Sequence, residues 1–109
     1  MTIPAHVTVT VDRPLGSAHP NHPTLVYPVN YGYIEGILGG DGEEQDAYIL
    51  GVDTPLSSFT GRVIAVIHRH NDTEDKWVVA ADGATFTEAE IRRQTEFQEQ
   101  YFEIAVQMV

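Results

Sequence analysis

No cysteine occurs among the 109 residues of the chain, so disulfide frameworks, thiolate metal sites and cysteine nucleophiles are excluded. Cations are scarce as well: six lysines and arginines stand against 16 aspartates and glutamates, for a formal charge of −10. Such a field repels nucleic acid and anionic membranes, and neither is expected as a partner. It also repels a phosphate ligand unless bound divalent cations reverse the local sign, so phosphate chemistry on this chain implies metal. Long apolar runs are missing too. The strongest, Arg62 to His68, is far short of the roughly 20 residues of a membrane span, and the first residues lack a charged-then-apolar leader pattern. The expectation is a soluble, cytoplasmic protein. With no linker-like tract and no internal repeat, residues 1–109 are expected to form one domain around one core.

What is present reads first as β-structure. Val7-Thr8-Val9-Thr10-Val11 alternates apolar and polar β-branched side chains, the period of a half-buried strand. Pro14, Gly16, Pro20, Asn21 and Pro23 crowd the next stretch, so Arg13 to Pro23 is expected to be an irregular loop, with extended structure resuming at Leu25-Val26-Tyr27. Tyr31 to Ile34, Ala47 to Val52, Arg62 to Ile67 and Lys76 to Ala80 read as further strands, separated by the Gly39-Gly40-Asp41-Gly42 turn, the Pro55 to Gly61 connection and a polar turn from His68 to Asp75. Five or six short strands without intervening helices suggest a small closed barrel or a sandwich. Thr87 and Glu90 form a capping-box pair, and Ile91, Thr95, Tyr101, Phe102, Ala105 and Met108 recur at three- and four-residue steps. One helix is therefore predicted from about Thr87 to near the C-terminus.

The densest chemistry is Asp41-Gly42-Glu43-Glu44-Gln45-Asp46, with four carboxylates in six residues beside a glycine turn. Like charges this close repel, and hard, oxygen-preferring cations relieve the repulsion. The glycine falls at the wrong position for an EF-hand loop and no paired helices flank it. On spacing alone, a cation site and a solvated acidic turn both remain open. Asp72, Glu74 and Asp75 form a second acidic group ahead of Lys76; because strand side chains alternate, Glu74 and Lys76 share one face and Asp75 the other. The histidines, His68 and His70 two apart among them, fit no zinc pattern. Nucleophile elbows and phosphate-binding glycine loops are absent.

Taken together, Val11-Asp12-Arg13, Tyr27-Pro28-Val29-Asn30-Tyr31-Gly32-Tyr33-Ile34 and the Asp41 to Asp46 string resemble the family I soluble inorganic pyrophosphatases in order and spacing, as does the acidic residue two before a lysine, Glu74 and Lys76. Phe97 to Tyr101 resembles part of that family's C-terminal helix. The resemblance implies a mainly β fold with a C-terminal helix, built on a small five-stranded barrel of OB type. It implies Mg²⁺, or Mn²⁺, held by Asp41, Asp46 and Glu74, with Asp72 as a fourth ligand. Arg13, Lys76 and Tyr101 would contact phosphate, Tyr31 would sit in the same cleft, and Glu43 takes the place of the aspartate that activates the attacking water. The implied activity is hydrolysis of pyrophosphate or a related phosphoanhydride, and the implied assembly a homo-oligomer. Three departures imply the alternative of a barrel that binds metal and a phosphate metabolite without turnover. The family's N-terminal lysine and glutamate have no counterpart before Val7, Phe102 stands where a lysine follows the tyrosine, and the longer Glu43 displaces its carboxylate by about 1 Å or more.

Overall fold

A computed structural model describes residues 3–70 and 74–109 of the chain. Eight strands and one helix follow in the order β1 (His6–Arg13), β2 (Ala18–His19), β3 (His22–Val26), β4 (Asn30–Leu38), β5 (Glu44–Ile49), β6 (Ser58–Arg69), β7 (Asp75–Ala80), α1 (Glu88–Glu99) and β8 (Ile104–Met108). The main sheet runs β1-β4-β5-β7-β6, and the β1–β6 pairing closes it into a barrel. Within it β5 and β7 are parallel and the other pairs antiparallel. This is the five-stranded OB-type barrel expected from the sequence, and closure leaves its strands without free edges over most of their length.

Strand alternation divides the core in two. Val9, Ile34, Ala47, Ile49, Trp77 and Val79 pack in one cluster, whereas Tyr31, Tyr48, Leu50, Val78 and Ala80 pack on the opposite face with Ile91 of the helix. A register shift between Val63 and Ala65 interrupts the alternation of β6, so Val63 and Val66 join the first cluster while Ile64, Ala65 and Ile67 join the second. Burial on both faces explains why this segment reads as a continuous apolar run.

Two segments differ from the sequence expectation. Arg13 to Pro23 is not wholly irregular: β2 and β3 form a small separate hairpin, in which Ala18 pairs with Val26 and His19 with His22. The helix starts as predicted, since Thr87 Oγ1 accepts from Glu90 N at 3.1 Å and Glu90 Oε1 accepts from Thr87 N at 2.9 Å. It stops at Glu99, however, and Ile104–Met108 is strand β8, paired with Ala65–Arg69 of β6. The cause is tertiary. β1 covers only Ser58–Arg62 of the long β6, leaving the rest of that edge to be satisfied by another strand.

Two residues lock β4 in place. A Cβ on Gly32 would lie 1.9 Å from the Thr10 carbonyl oxygen, so only glycine permits the β1–β4 approach. Asn30, fully buried, accepts from Leu15 N at 2.9 Å and Leu56 N at 3.0 Å and donates to Thr54 O at 2.9 Å, fastening two loops to the strand. Asn30→Ala strands those groups, and urea unfolding should show a loss of about 1–3 kcal/mol.

Candidate active site

The helix-covered face of the barrel continues into an open cleft of about 740 Å³. Asp46 on β5 and Lys76 on β7 carry side chains on the same face as Tyr48 and Val78, two residues further along each strand, and so emerge at its floor. Lys76, the only lysine in the chain, donates from Nζ to Asp46 Oδ2 at 2.6 Å and to Glu74 Oε1. Its ammonium lies 5.6 Å from the centre of the Tyr31 ring. Asp75 points the other way and meets His68 Nδ1 at 3.0 Å, so the carboxylate facing Asp46 beside Lys76 is Glu74.

Arg13 enters from β1. The register of that strand shifts between Val11 and Arg13, and the irregularity lets neighbouring Asp12 and Arg13 both line the cleft. Arg13 donates to Tyr27 Oη at 3.0 Å, Tyr27 donates to Gln98 Oε1 at 2.8 Å, and Gln98 Nε2 donates to Tyr48 Oη at 2.8 Å. Tyr48 donates in turn to Glu99 Oε2 at 2.6 Å, while Arg69 holds both Glu99 oxygens, at 2.8 and 2.6 Å. The guanidinium of Arg69 also stacks on Phe102, 3.8 Å from the ring centre. Where the resemblance implies a lysine after Tyr101, the chain thus has an aromatic ring that supports a buried arginine.

Electrostatics follow from this packing. Burial raises the Asp46 pKa, but the charge and hydrogen bond of Lys76, with hydrogen bonds from Glu74 and Tyr31, outweigh it and hold the carboxyl below its usual range. Glu74 is pushed up, first by burial and then by its hydrogen bond to and repulsion from Asp46, against the lowering effect of Lys76. The two carboxyls beside one ammonium are therefore pushed in opposite directions. Asp12 is raised by burial and by Asp46, partly offset by Arg13.

Tyr31 and Tyr48 lie well above the ordinary phenol value, chiefly through burial and then through the charges of Asp46 and Glu99 respectively. A folded-state pKa above the unfolded value of about 10 contributes stability that is present below pH 10 and lost as pH rises through the folded pKa. The urea midpoint should therefore be flat to about pH 9 and fall above about pH 10, with a shallower fall in Tyr48→Phe.

Of the residues singled out in the sequence, Arg13, Tyr31, Asp46, Lys76 and Tyr101 line the cleft, and Glu74 joins them through Lys76. Asp41 and Glu43 do not line it. They sit exposed in the β4–β5 turn, where Asp41 Oδ1 accepts from Glu43 N at 3.0 Å and Gly42 has a φ of +83°. Asp72 lies outside the described residues. Asp12, Tyr27, Gln98 and Glu99 were not singled out. Asp12 adjoins Arg13, but strict alternation would send the two to opposite faces, and the helix residues carry no local signature of a cleft.

The donor set suits a hard divalent ion in one specific way. Among the described residues there is no cluster of three or more carboxylate or imidazole groups able to cage a metal. Asp46 and Glu74 instead meet at Lys76 Nζ, a pair of carboxylate oxygens of the kind one cation spans. Mg²⁺ is commonly held by one or two carboxylates, with waters and substrate phosphate completing its shell.

No match was found among curated proteins. Solved structures do match. An inorganic pyrophosphatase from Ehrlichia chaffeensis aligns with a TM-score of 0.74 at 17% identity, over 100% of this chain and 89% of that one. One from Neisseria gonorrhoeae gives 0.68 at 20% identity, over 89% of this chain and 73% of that one. The enzyme from Thermus thermophilus gives 0.64 at 17%, over 97% and 82%. At such identities these likenesses establish the fold. A model of the inorganic pyrophosphatase family matches residues 7–105, nearly the whole chain, and on that match the chain belongs to the inorganic pyrophosphatase family.

Proposed function

We propose that the protein hydrolyses inorganic pyrophosphate, or a related phosphoanhydride, to phosphate with Mg²⁺, or Mn²⁺, bound at Asp46 and Glu74. The observation that carries this reading is the meeting of Asp46, Glu74 and Lys76 at the floor of a cleft also lined by Arg13, Tyr31 and Tyr101, in a chain of this family. The bound ion would polarise phosphoryl oxygens and lower the pKa of a bound water. Lys76 and Arg13 offset charge on the phosphate that leaves when the bridging P–O bond breaks, and Tyr31 and Tyr101 orient the phosphoryl groups. Asp41, from the β4–β5 turn, and Asp72 are proposed to add further oxygens.

Two carboxyls compete to accept the proton of the attacking water. Glu43 is our assignment from the family pattern, although its turn must lean over the cleft for the carboxyl to reach. Asp12 already lines the cleft, and burial raises its pKa, the direction that favours a general base. Glu43→Gln and Asp12→Asn separate them: the variant of the true base should lose about 10²–10⁴-fold in kcat, and the other should lose little.

Phosphate release from pyrophosphate, measured with Mg²⁺, Mn²⁺ or chelator, tests the whole reading. Turnover that vanishes with chelator is the expected result. Binding of pyrophosphate without release would support the second reading, a cleft without turnover, which draws on the pairing of Lys76 and Arg69 with carboxylates of the chain itself. We also propose a cytoplasmic, homo-oligomeric protein. The first draws on the acidic composition and on the lack, among described residues, of a helix long and apolar enough to cross a membrane. The second draws on the exposed Met108 and Val109 at the β8 edge.

A further inference from the structure

The cleft has two halves of different chemistry, and the hydrolytic reading draws on the outer one only through Tyr101. Its floor carries the phosphate-directed groups. Its outer part is walled by the β2–β3 hairpin and the chain after α1, through His19, His22, Leu25, Tyr27, Tyr101 and Phe102. Five of these six are planar rings, and of the five only Tyr101, 70% exposed at the mouth, has a part in the hydrolytic reading. A volume of about 740 Å³ falls within the range of sites that enclose drug-sized organic ligands, roughly 300–1,000 Å³. Bare pyrophosphate would fill a small part of it.

The charge balance points the same way. Lys76 is paired with Asp46 and Glu74, and Arg69 holds Glu99 through two bonds. Arg13 donates to a phenol. A small, highly charged anion without an organic group would draw nearly all its affinity from these committed cations and from metal. A ligand with a planar heterocycle would draw part of it from the rings instead, since a base stacks favourably on an aromatic side chain whatever the base. His19 suits such a partner. Its Nδ1 accepts the Asn21 backbone amide at 3.0 Å, which leaves Nε2 as the protonated, donating nitrogen of the neutral ring. The groups facing it are His22, Tyr27 and Arg13.

We propose that the outer cleft is a nucleoside subsite and that the substrate class is a nucleoside diphosphate, with the base against the hairpin histidines His19 and His22 and the diphosphate on the floor. Its hydrolytic part rests on the function proposed above. Water adds to the terminal phosphorus, the bridging P–O bond breaks, and the products are the nucleoside monophosphate, inorganic phosphate and one proton; no oxidant or second substrate is consumed.

Phosphate release from adenosine diphosphate and from pyrophosphate, each with Mg²⁺, is compared in the wild type and in His22→Ala and Leu25→Ala, whose side chains lie outside the phosphate-directed floor. The expected result is a higher kcat/KM for adenosine diphosphate than for pyrophosphate, with KM for the nucleotide raised about tenfold in the variants and pyrophosphate kinetics unchanged. Pyrophosphate turnover without nucleotide turnover, or with nucleotide kinetics indifferent to both substitutions, overturns the subsite and leaves the pyrophosphatase reading standing. If neither substrate turns over, that reading fails, and calorimetric titration with adenosine diphosphate and Mg²⁺ decides the subsite separately. Binding weakened by His22→Ala supports it, and no binding overturns it.

Discussion

Asp46→Asn should reduce phosphate release from pyrophosphate at saturating Mg²⁺ by about 100-fold or more while leaving the fold intact. Even outer-shell partners of a metal site typically cost 10–100-fold when removed, and Asp46 is proposed as a charged ligand itself. Asparagine keeps an oxygen that can accept from Lys76, so the side-chain geometry survives. The negative charge does not, and with it goes half of the oxygen pair that a cation would bridge. Asp46 is 31% exposed and Lys76 retains Glu74, so solvent screening and the second carboxylate limit the stability cost to about 1 kcal/mol or less. Urea unfolding of the variant measures that directly. An Asp46→Asn protein with near wild-type turnover would remove the floor of the cleft from the chemistry altogether.

The barrel was legible because its strands have short-range signatures. Val7 to Val11 alternates, Thr87 and Glu90 cap a helix, and the Arg62 to Ile67 run is apolar because both its faces are covered. Strand β8 was not legible. Tyr101, Phe102, Ala105 and Met108 fit a helical stripe about as well as Ile104, Val106 and Met108 fit a strand. The choice between them is made by the uncovered half of β6, some forty residues earlier in the chain. The site divides along the same line. Asp46 and Lys76 lie on two parallel neighbouring strands, with Glu74 one residue ahead of the second, so alternation was enough to bring them together. The β4–β5 turn instead keeps Asp41 and Glu43 outside the cleft walls, because hydrogen bonds of the turn itself decide where they point. Asp12 depends on an irregularity in β1 and Glu99 on the helix docking against β6. Neither event leaves a local mark in the sequence.

The Arg69–Glu99 pair should dominate the stability of the cleft wall. Both side chains are almost fully buried, at 5% and 1% exposure, and Glu99 is held by two bonds from Arg69 and one from Tyr48. Burial favours the neutral form of the arginine, but the hydrogen bonds and charge of Glu99 outweigh this and raise its pKa further above the ordinary value. Glu99→Ala removes the compensating charge while the guanidinium, still stacked on Phe102, stays buried. Breaking a buried pair from one side costs about 3–5 kcal/mol, whereas replacing both members by apolar groups costs far less. Urea unfolding should show that loss in Glu99→Ala and a clearly smaller one in Arg69→Met/Glu99→Leu. The chain of bonds from Glu99 through Tyr48, Gln98 and Tyr27 ends on Arg13. If it positions that arginine, the double variant should regain stability yet keep an elevated KM for the phosphate ligand. A Glu99→Ala loss below about 1 kcal/mol would mean that water reaches the pair and compensates it as at an ordinary surface, and Arg13 would then be positioned by β1 alone.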